Sequence, residues 1–217
     1  MSLFPAPQFS LGFPQPLSEK YRPRRIQDFI GLDKPKRILA GFAASPKNAA
    51  LIFVGESGLG KTTMALALAE EMEAEVHLIP SQKCTVENVE DTVRTCWYAT
   101  RKVNGFHLVV IDEADQMTDK AQLALLSKLD STARPPQTIF IFTCNSTNGL
   151  EKRFLSRCIQ IEFSNYALRG ELAAFLGKVW EAETGKPGTV NFERVAKDAC
   201  GNIREALNRL EVELLAA

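Results

Sequence analysis

A glycine-rich stretch in the first third of the chain limits the folds available to it. Residues 55–63 fit the pattern G-x-x-x-x-G-K-[ST] and lie between an apolar run, 50–54, and a segment rich in Ala, Leu and Glu, 63–72. The run predicts a buried strand and the segment predicts a helix. Glycines let the backbone curl so that successive N–H groups point at phosphate oxygens. We therefore predict a phosphate-binding loop, and the alternative is a strand–helix turn without a ligand.

The residues of this loop have separate predicted roles. Lys61 supplies a positive charge for the β- and γ-phosphates of a nucleotide, and the Thr62 hydroxyl is a ligand for Mg²⁺. The helix that begins near Thr62 adds the positive end of its dipole. The nucleotide-binding residues predicted in this segment are Gly55, Ser57, Gly58, Leu59, Gly60, Lys61, Thr62 and Thr63.

Two carboxylates follow another apolar run, 108–111. In a doubly wound sheet, the carboxyl end of a buried strand lies beside the phosphate-binding loop. We predict that Asp112 joins the magnesium site and that Glu113 polarises the water that attacks the γ-phosphate. An apolar strand that ends in Asp-Glu is common, but next to such a loop it favours ATP hydrolysis over nucleotide binding alone.

Strand and helix patterns alternate over the first two thirds of the chain. Further apolar runs at 76–80 and 138–142, and an alternating run at 159–163, are separated by helical patterns at 86–102 and 119–129. This alternation predicts an α/β fold with a mainly parallel five-stranded sheet flanked by helices. Only helical patterns follow. We therefore predict a Pro-rich extended arm at 1–17, a core at 18–165 and a small all-helical domain at 166–217.

Composition excludes several classes of protein. Lys and Arg together number 26, as do Asp and Glu, so the chain has no overall basic field for nucleic acid. The basic segment 18–37 is either a solvated surface or a local phosphate-binding surface. No apolar run approaches the ~20 residues that span a bilayer. The five cysteines form no C-x-x-C pair, which argues against a disulfide framework or a zinc site and favours a cytoplasmic protein.

The order of motifs resembles that of the AAA+ ATPases, and within them the clamp-loader subunits of the replication factor C small-subunit type and their archaeal and phage counterparts. The segments that carry the resemblance, besides the phosphate-binding loop, are 19–23 with 28–31, 112–115, 143–145, 156–158 and 201–208. The resemblance implies an AAA+ P-loop ATPase core followed by a helical lid domain. It covers residues 19–215.

This resemblance also implies roles for residues outside the loop. Tyr21, Arg22 and Ile30 would lie over the adenine, and Asn145 would contact water and the γ-phosphate as a first sensor. Ile203 and Arg204 would form a second sensor for the same subunit's ATP.

The triplet Ser156-Arg157-Cys158 resembles the family's arginine finger, so Arg157 would reach the ATP of a neighbouring subunit. Each of these residues has a structural alternative. Asn145 is also a good turn residue, Arg157 could be an ordinary surface arginine, and Arg204 could be a solvated helix residue.

The function implied by the resemblance is a subunit of a DNA-polymerase sliding-clamp loader. It would bind ATP and Mg²⁺, hydrolyse ATP efficiently only in an oligomer, and act with other loader subunits, a sliding clamp and primer–template DNA. No membrane partner is expected, and the location would be cytoplasmic, or nuclear in a eukaryote. Two alternatives stay open, namely a related motor on branched or stalled DNA and a nucleotide-dependent scaffold.

The sequence departs from the family in two respects. Clamp-loader subunits carry a third, helical collar domain that this sequence lacks, so we expect either a fragment or a different assembly. Relatives also carry adjacent arginines, facing nucleic acid, where this chain has Leu126 and Ser127. Lys83, Thr85 and Arg94 are the candidate DNA contacts, and a solvated helix face is the alternative for each.

Overall fold

The computed structural model describes residues 15–103, 105–130, 132–165, 168–188 and 190–216. The strands are β1 (Ala49–Val54), β2 (Glu75–Pro80), β3 (His107–Asp112), β4 (Thr138–Cys144) and β5 (Ile159–Glu162). The helices are α1 (Leu17–Lys20), α2 (Asp33–Ala44), α3 (Lys61–Met72), α4 (Val86–Thr95), α5 (Asp119–Leu129), α6 (Lys152–Leu155), α7 (Leu168–Thr184), α8 (Phe192–Asp198) and α9 (Ile203–Ala216). None of the described helices is both long and apolar enough to cross a bilayer.

The five strands form one sheet in the order β2-β3-β4-β1-β5, and every pairing is parallel. The predicted α/β class is therefore confirmed. Since the strands are parallel, their carboxyl ends share one edge. In this order β2, β3 and β4 lie on one side of β1, and β5 lies on the other side. In open α/β sheets, ligands bind at the carboxyl ends of the strands where the strand order reverses in this way.

Alternating residues of β1 pack on opposite faces of the sheet. Leu51 and Phe53 join an apolar cluster with α2 and α3, whereas Ile52 joins a second cluster with α4 and α5. All three side chains are fully buried. Helices therefore cover both faces, and an apolar β1 without polar alternation is what a doubly covered strand requires.

Strand β2 differs from its prediction as a buried strand. It is an edge strand with Val76 39% and Leu78 52% exposed, and Ile79 is its one buried residue. The helix predicted at 86–102 is also shorter, because α4 ends at Thr95 and leaves Trp97 and Tyr98 exposed. Local apolar composition cannot show which strand of a sheet lacks a neighbour.

Helices α7, α8 and α9 share a third apolar cluster, which includes Leu172, Trp180 and Leu210. Leu17 is also buried in this cluster, and its backbone N–H donates to Glu211 at 3.3 Å. The predicted arm lies outside the described residues over 1–14. At its end the prediction was wrong, because Leu17 begins α1, and α1 packs on α9.

Candidate nucleotide site

The glycine-rich loop joins β1 to α3 at the carboxyl edge of the sheet. Gly58 and Gly60 have φ values of +79° and +81°, which L side chains rarely adopt. A Cβ at Gly58 would lie 1.9 Å from Oδ1 of Asn202, which caps α9, and a Cβ at Gly55 would lie 2.1 Å from the carbonyl oxygen of Phe163. Glycine is thus required both by the backbone and by close packing against the following segments.

Lys61 is the first residue of α3, and its side chain turns back into the loop. Its ammonium group donates to the carbonyl oxygens of Gly55 at 2.6 Å and Glu56 at 2.9 Å, and to Oδ1 of Asn145 at 3.0 Å. Lys61 is 9% exposed, and burial lowers its pKa. The loop therefore holds a buried cation within reach of a side chain that follows β4.

Three oxygen side chains meet beside this cation. The hydroxyls of Thr62 and Thr143 both donate to Oδ1 of Asp112, at 2.5 Å and 2.6 Å. A carboxylate with adjacent hydroxyls is a set of hard oxygen donors, which is the chemistry that Mg²⁺ prefers. The residues therefore fit a magnesium ion, which Thr62 and Asp112 would hold. When bound, the ion would neutralise charge on the β- and γ-phosphates.

Glu113 follows β3 in a left-handed conformation, with φ of +54°. Its backbone N–H donates to the Thr143 hydroxyl at 3.1 Å, which fixes the turn, while its side chain is exposed. Glu113 and Asn145 both line the same cavity as Lys61. The arrangement therefore brings a carboxylate and an amide to the cavity that Lys61 also lines.

Two connected cavities lie over the loop. The smaller, about 120 Å³, is polar, and the larger, about 230 Å³, reaches between the core and the C-terminal helices. Gly58, Gly60, Thr63 and Arg204 line both. The predicted residues that line one or both are Tyr21, Arg22, Ile30, Ser57, Gly58, Leu59, Gly60, Lys61, Thr62, Thr63, Asp112, Glu113, Asn145, Ile203 and Arg204.

Gly55 and Arg157 are the predicted nucleotide-site residues that line neither of these two cavities. Gly55 contributes its carbonyl to Lys61 instead. The Arg157 guanidinium donates to Asp130 at 2.6 Å and to the carbonyl oxygen of Arg153 at 2.8 Å. Its hydrogen bond holds the pKa of Asp130 below the usual range. The side chain of Arg157 is therefore held by Asp130 and Arg153, outside the two cavities over the loop of its own chain.

Sequence reasoning missed several residues of the site. Thr143 contacts both Asp112 and Glu113, and it lies in the segment 143–145 that carries the resemblance, although only Asn145 of that segment was predicted to be in the site. Phe175 and Leu207 line the larger cavity from α7 and α9. Their apolar spacing matches that of ordinary core residues, so the sequence holds no separate signal for them.

The three candidate DNA contacts lie in and before α4 and line neither cavity. Thr85 caps α4 by accepting from the backbone N–H of Asn88 at 3.2 Å, and Arg94 pairs with Asp91. Lys83 is exposed. Leu126 is 6% exposed in the core, so it presents no surface to nucleic acid.

Comparison with known proteins gives matches to both sequence and fold. The family model described as "ATPase family associated with various cellular activities (AAA)" matches residues 51–166. Replication factor C small subunit 2 of Pyrobaculum aerophilum is 32% identical over 202 residues, covering 89% of this chain and 62% of the relative. Replication factor C subunit 2 of Arabidopsis thaliana is 33% identical over 210 residues, covering 92% of this chain and 62% of the relative. The chain thus spans about three fifths of these relatives.

Among solved structures, the Thermotoga maritima RuvB Holliday junction branch migration motor superposes with a TM-score of 0.73. The match covers 91% of this chain and 65% of that chain, with 20% sequence identity. At this identity the likeness concerns the fold alone. It extends through the C-terminal helices as well as the sheet, since it covers nine tenths of the chain.

Proposed function

Because this chain belongs to the AAA family of ATPases, we propose that it is the ATP-binding and ATP-hydrolysing part of a sliding-clamp loader in DNA replication. The observation that carries the proposal is the convergence of Lys61, Asn145 and Arg204 on one polar cavity. These residues come from three distant segments and match the order of motifs in clamp-loader subunits. Relatives that carry the name replication factor C at 32% and 33% identity support the same choice.

The polar cavity would hold the triphosphate. Backbone N–H groups of the loop and the Lys61 ammonium would bind the β- and γ-phosphates, and Thr62 with Asp112 would hold Mg²⁺. Glu113 would accept a proton from, or orient, the attacking water, and Asn145 would position that water against the γ-phosphate. Such positioning and charge stabilisation supply most of the catalysis in phosphoryl transfer.

The larger cavity would hold the adenosine. It is lined by the aromatic or apolar side chains of Tyr21, Ile30 and Phe175. The flat faces of an adenine base suit such walls. Arg204 stands where this cavity meets the polar one, so it would contact the phosphates of a nucleotide held by the core. ATP would then favour an arrangement in which the C-terminal helices close over the loop.

Arg157 would act on the nucleotide of a neighbouring subunit. This role is supported by its position outside its own cavities and by its partly exposed side chain, 33% accessible. Efficient hydrolysis would then require an oligomer, because an arginine supplied in trans is worth roughly 10³–10⁵ in rate in other systems. Loader subunits, a sliding clamp and primer–template DNA are the proposed partners. Lys83, Thr85 and Arg94 are the proposed DNA contacts, and all three are exposed, although Arg94 is paired with Asp91.

The main alternative is a motor that acts on branched DNA, which the RuvB superposition would suit. That likeness is at 20% identity, whereas the replication factor C relatives are 32% and 33% identical over most of the chain. The sequence relationship therefore favours the loader. A scaffold without hydrolysis is disfavoured by Glu113, which lines the phosphate cavity.

A phosphate-release assay on the chain together with its native partners tests the proposal. The protein is incubated with ATP and Mg²⁺, then with primer–template DNA and a candidate ring-shaped clamp, or with a four-way junction. We expect turnover to rise with primer–template DNA and clamp. Stimulation by the junction alone would support the branched-DNA motor, and no turnover under any condition would support the scaffold.

A further inference from the structure

We propose that His77, Cys96 and His107 form a binding site for a divalent transition metal, with Zn²⁺ as the first choice. His77 lies in the edge strand β2, His107 begins β3, and Cys96 directly follows α4. Asp112 ends β3 at the nucleotide site, so the two sites are about 16 Å apart along that strand. The proposal is independent of nucleotide binding and of the proposed function.

The first support is the distance between the candidate ligand atoms. One ligand atom from each of the three residues lies within 4.8 Å of the other two, and Nε2 of His77 is 2.9 Å from Nδ1 of His107. In a tetrahedral zinc site, with bonds of ~2.0–2.3 Å, ligand atoms lie about 3.3–3.6 Å apart. The observed distance between the two histidine nitrogens is shorter than that value, and the other separations are at most 4.8 Å, so small side-chain rotations would complete the site.

The second support is the orientation of His107. Its Nε2 lies 2.9 Å from the carbonyl oxygen of Tyr98. A carbonyl can only accept, so Nε2 carries the proton and Nδ1 presents its lone pair to His77. Metal-bound histidines are usually fixed in this way, by a second ring N–H that donates to a carbonyl or carboxylate.

The third support is the balance of burial and access. Cys96 is 1% and His107 3% exposed, which shields a metal–thiolate bond, while His77 is half-buried and leaves an entrance at the sheet edge. Water can take the fourth position there. Zn²⁺ would replace the thiol proton of Cys96, which passes to solvent, and bind the resulting thiolate. The nearby carboxylate of Glu75 offsets the remaining positive charge.

The alternative is a plain hydrogen bond between the two imidazoles, with His77 donating to His107. It accounts for the 2.9 Å contact, with the Cys96 thiol hydrogen-bonded to Thr138. A bound metal would instead tie β2 to β3 and to the end of α4. Since β2 is an exposed edge strand that pairs with β3 alone in the sheet, such a link would stabilise its position.

Cobalt absorption tests the site directly. The reduced, metal-free chain is titrated with Co²⁺, which gives thiolate charge-transfer absorption only where a cysteine binds it, and is then titrated with Zn²⁺. We expect the charge-transfer band to saturate at one Co²⁺ per chain and to be abolished by Zn²⁺. Cys96→Ser should remove the charge-transfer band, and His77→Ala should weaken binding by more than the ~10–100-fold that loss of an outer-shell partner costs.

Cys200→Ser is the matched control, because Cys200 is an exposed thiol outside the cluster and should leave the band unchanged. His77 is half-buried on an edge, so His77→Ala should fold, which circular dichroism and ATP-analogue binding will check. Zn²⁺ should raise the Tm of the unmutated chain but not that of His77→Ala. A thiolate band that is absent or does not saturate at one Co²⁺ per chain, or one that persists in Cys96→Ser, would overturn the proposal.

Discussion

The ammonium nitrogen of Lys61 lies 3.0 Å from Oδ1 of Asn145, although 84 residues separate them in the chain. One residue belongs to the glycine-rich loop after β1, and the other follows β4. Because β1 and β4 are neighbouring parallel strands, their carboxyl ends place both side chains at one edge of the sheet. The contact joins the proposed phosphate-binding cation to the proposed sensor of the γ-phosphate.

Asn145→Ala should therefore lower ATP turnover about 10²-fold while ATP binding changes little, because a positioned polar group acts mainly on the transition state. Steady-state phosphate release and titration with a fluorescent ATP analogue measure the two effects. Asn148→Ala is the control, since Asn148 is exposed in the same loop and lines neither cavity. Equal losses of ATP turnover in Asn145→Ala and Asn148→Ala would contradict the proposed sensor role of Asn145.

Glu113→Gln should keep ATP binding but reduce turnover by roughly 10²–10⁴, because the change keeps the shape of the side chain and removes the charge that activates water.

Lys61→Ala should instead weaken ATP binding about 10–100-fold, since it deletes a charge-assisted contact to phosphate. The same two assays separate these outcomes. Glu87→Gln, at an exposed position on α4, serves as the control. Equal losses of ATP affinity in Glu113→Gln and Lys61→Ala would contradict the separate roles proposed for the two residues.

Arg157→Ala should leave ATP binding intact and reduce turnover in the assembled complex by roughly 10³–10⁵, the contribution of an arginine supplied in trans. Arg153→Ala is a close control, because Arg153 lies one turn earlier and pairs with Glu151. Turnover is measured after Arg157→Ala subunits are mixed with Lys61→Ala subunits. A role in trans predicts that the mixture regains turnover, because a Lys61→Ala subunit can supply its Arg157 to the intact site of an Arg157→Ala neighbour, whereas no recovery would argue for action within one chain.

Arg204→Ala should reduce the difference between the ATP-bound and ADP-bound arrangements of the C-terminal helices more than it lowers ADP affinity. Arg204 meets the phosphate cavity from α9, so loss of the γ-phosphate should remove much of its contact. Spin labels near Asp115 and on α8 would report the distance in each state. Arg209→Ala, on the same helix but paired with Glu205, should behave as the unmutated chain. Identical distances with ATP analogue and ADP in the unmutated complex would contradict the switch.

The contact between α1 and α7 should be sensitive to acid. Burial alone would raise the pKa of Glu183, but hydrogen bonds from Lys20 and Tyr21 hold it below its ordinary value of 4.5. The folded chain therefore binds this proton less readily than the unfolded chain. The contribution of the contact to stability, about 1 kcal/mol, is complete above pH 4.5 and lost as the pH falls toward the lowered pKa.

Glu183→Gln should thus lower the Tm at neutral pH, and the gap from the unmutated chain should shrink as the pH is lowered below 4.5. Glu181→Gln, exposed on the same helix, should show no such pH-dependent gap. A gap that stays constant with pH would mean that Glu183 stabilises the fold by packing rather than by its charge.

Much of the nucleotide site could be predicted from the sequence because its signals are local. The loop from Gly55 to Thr63 and the pair Asp112-Glu113 each follow an apolar run, and parallel strands bring such ends to one edge. The need for glycine in this loop could also be predicted, and at positions 58 and 60 the backbone conformations exclude most other residues. The predicted α/β class followed from the same alternation of strand and helix patterns.

Other features depend on contacts between distant segments. The place of β2 at the edge depends on strand order, which is set by long-range pairing and not by its own composition. In the sequence, Phe175 cannot be distinguished from an ordinary core residue. It lines the larger cavity because folding brings α7 beside that cavity. The cluster of His77, Cys96 and His107 has no recognisable spacing in sequence, because a strand pairing and a helix end bring it together. The local sequence indicates the conformation and burial of each segment. The packing of the whole chain determines which segments become neighbours.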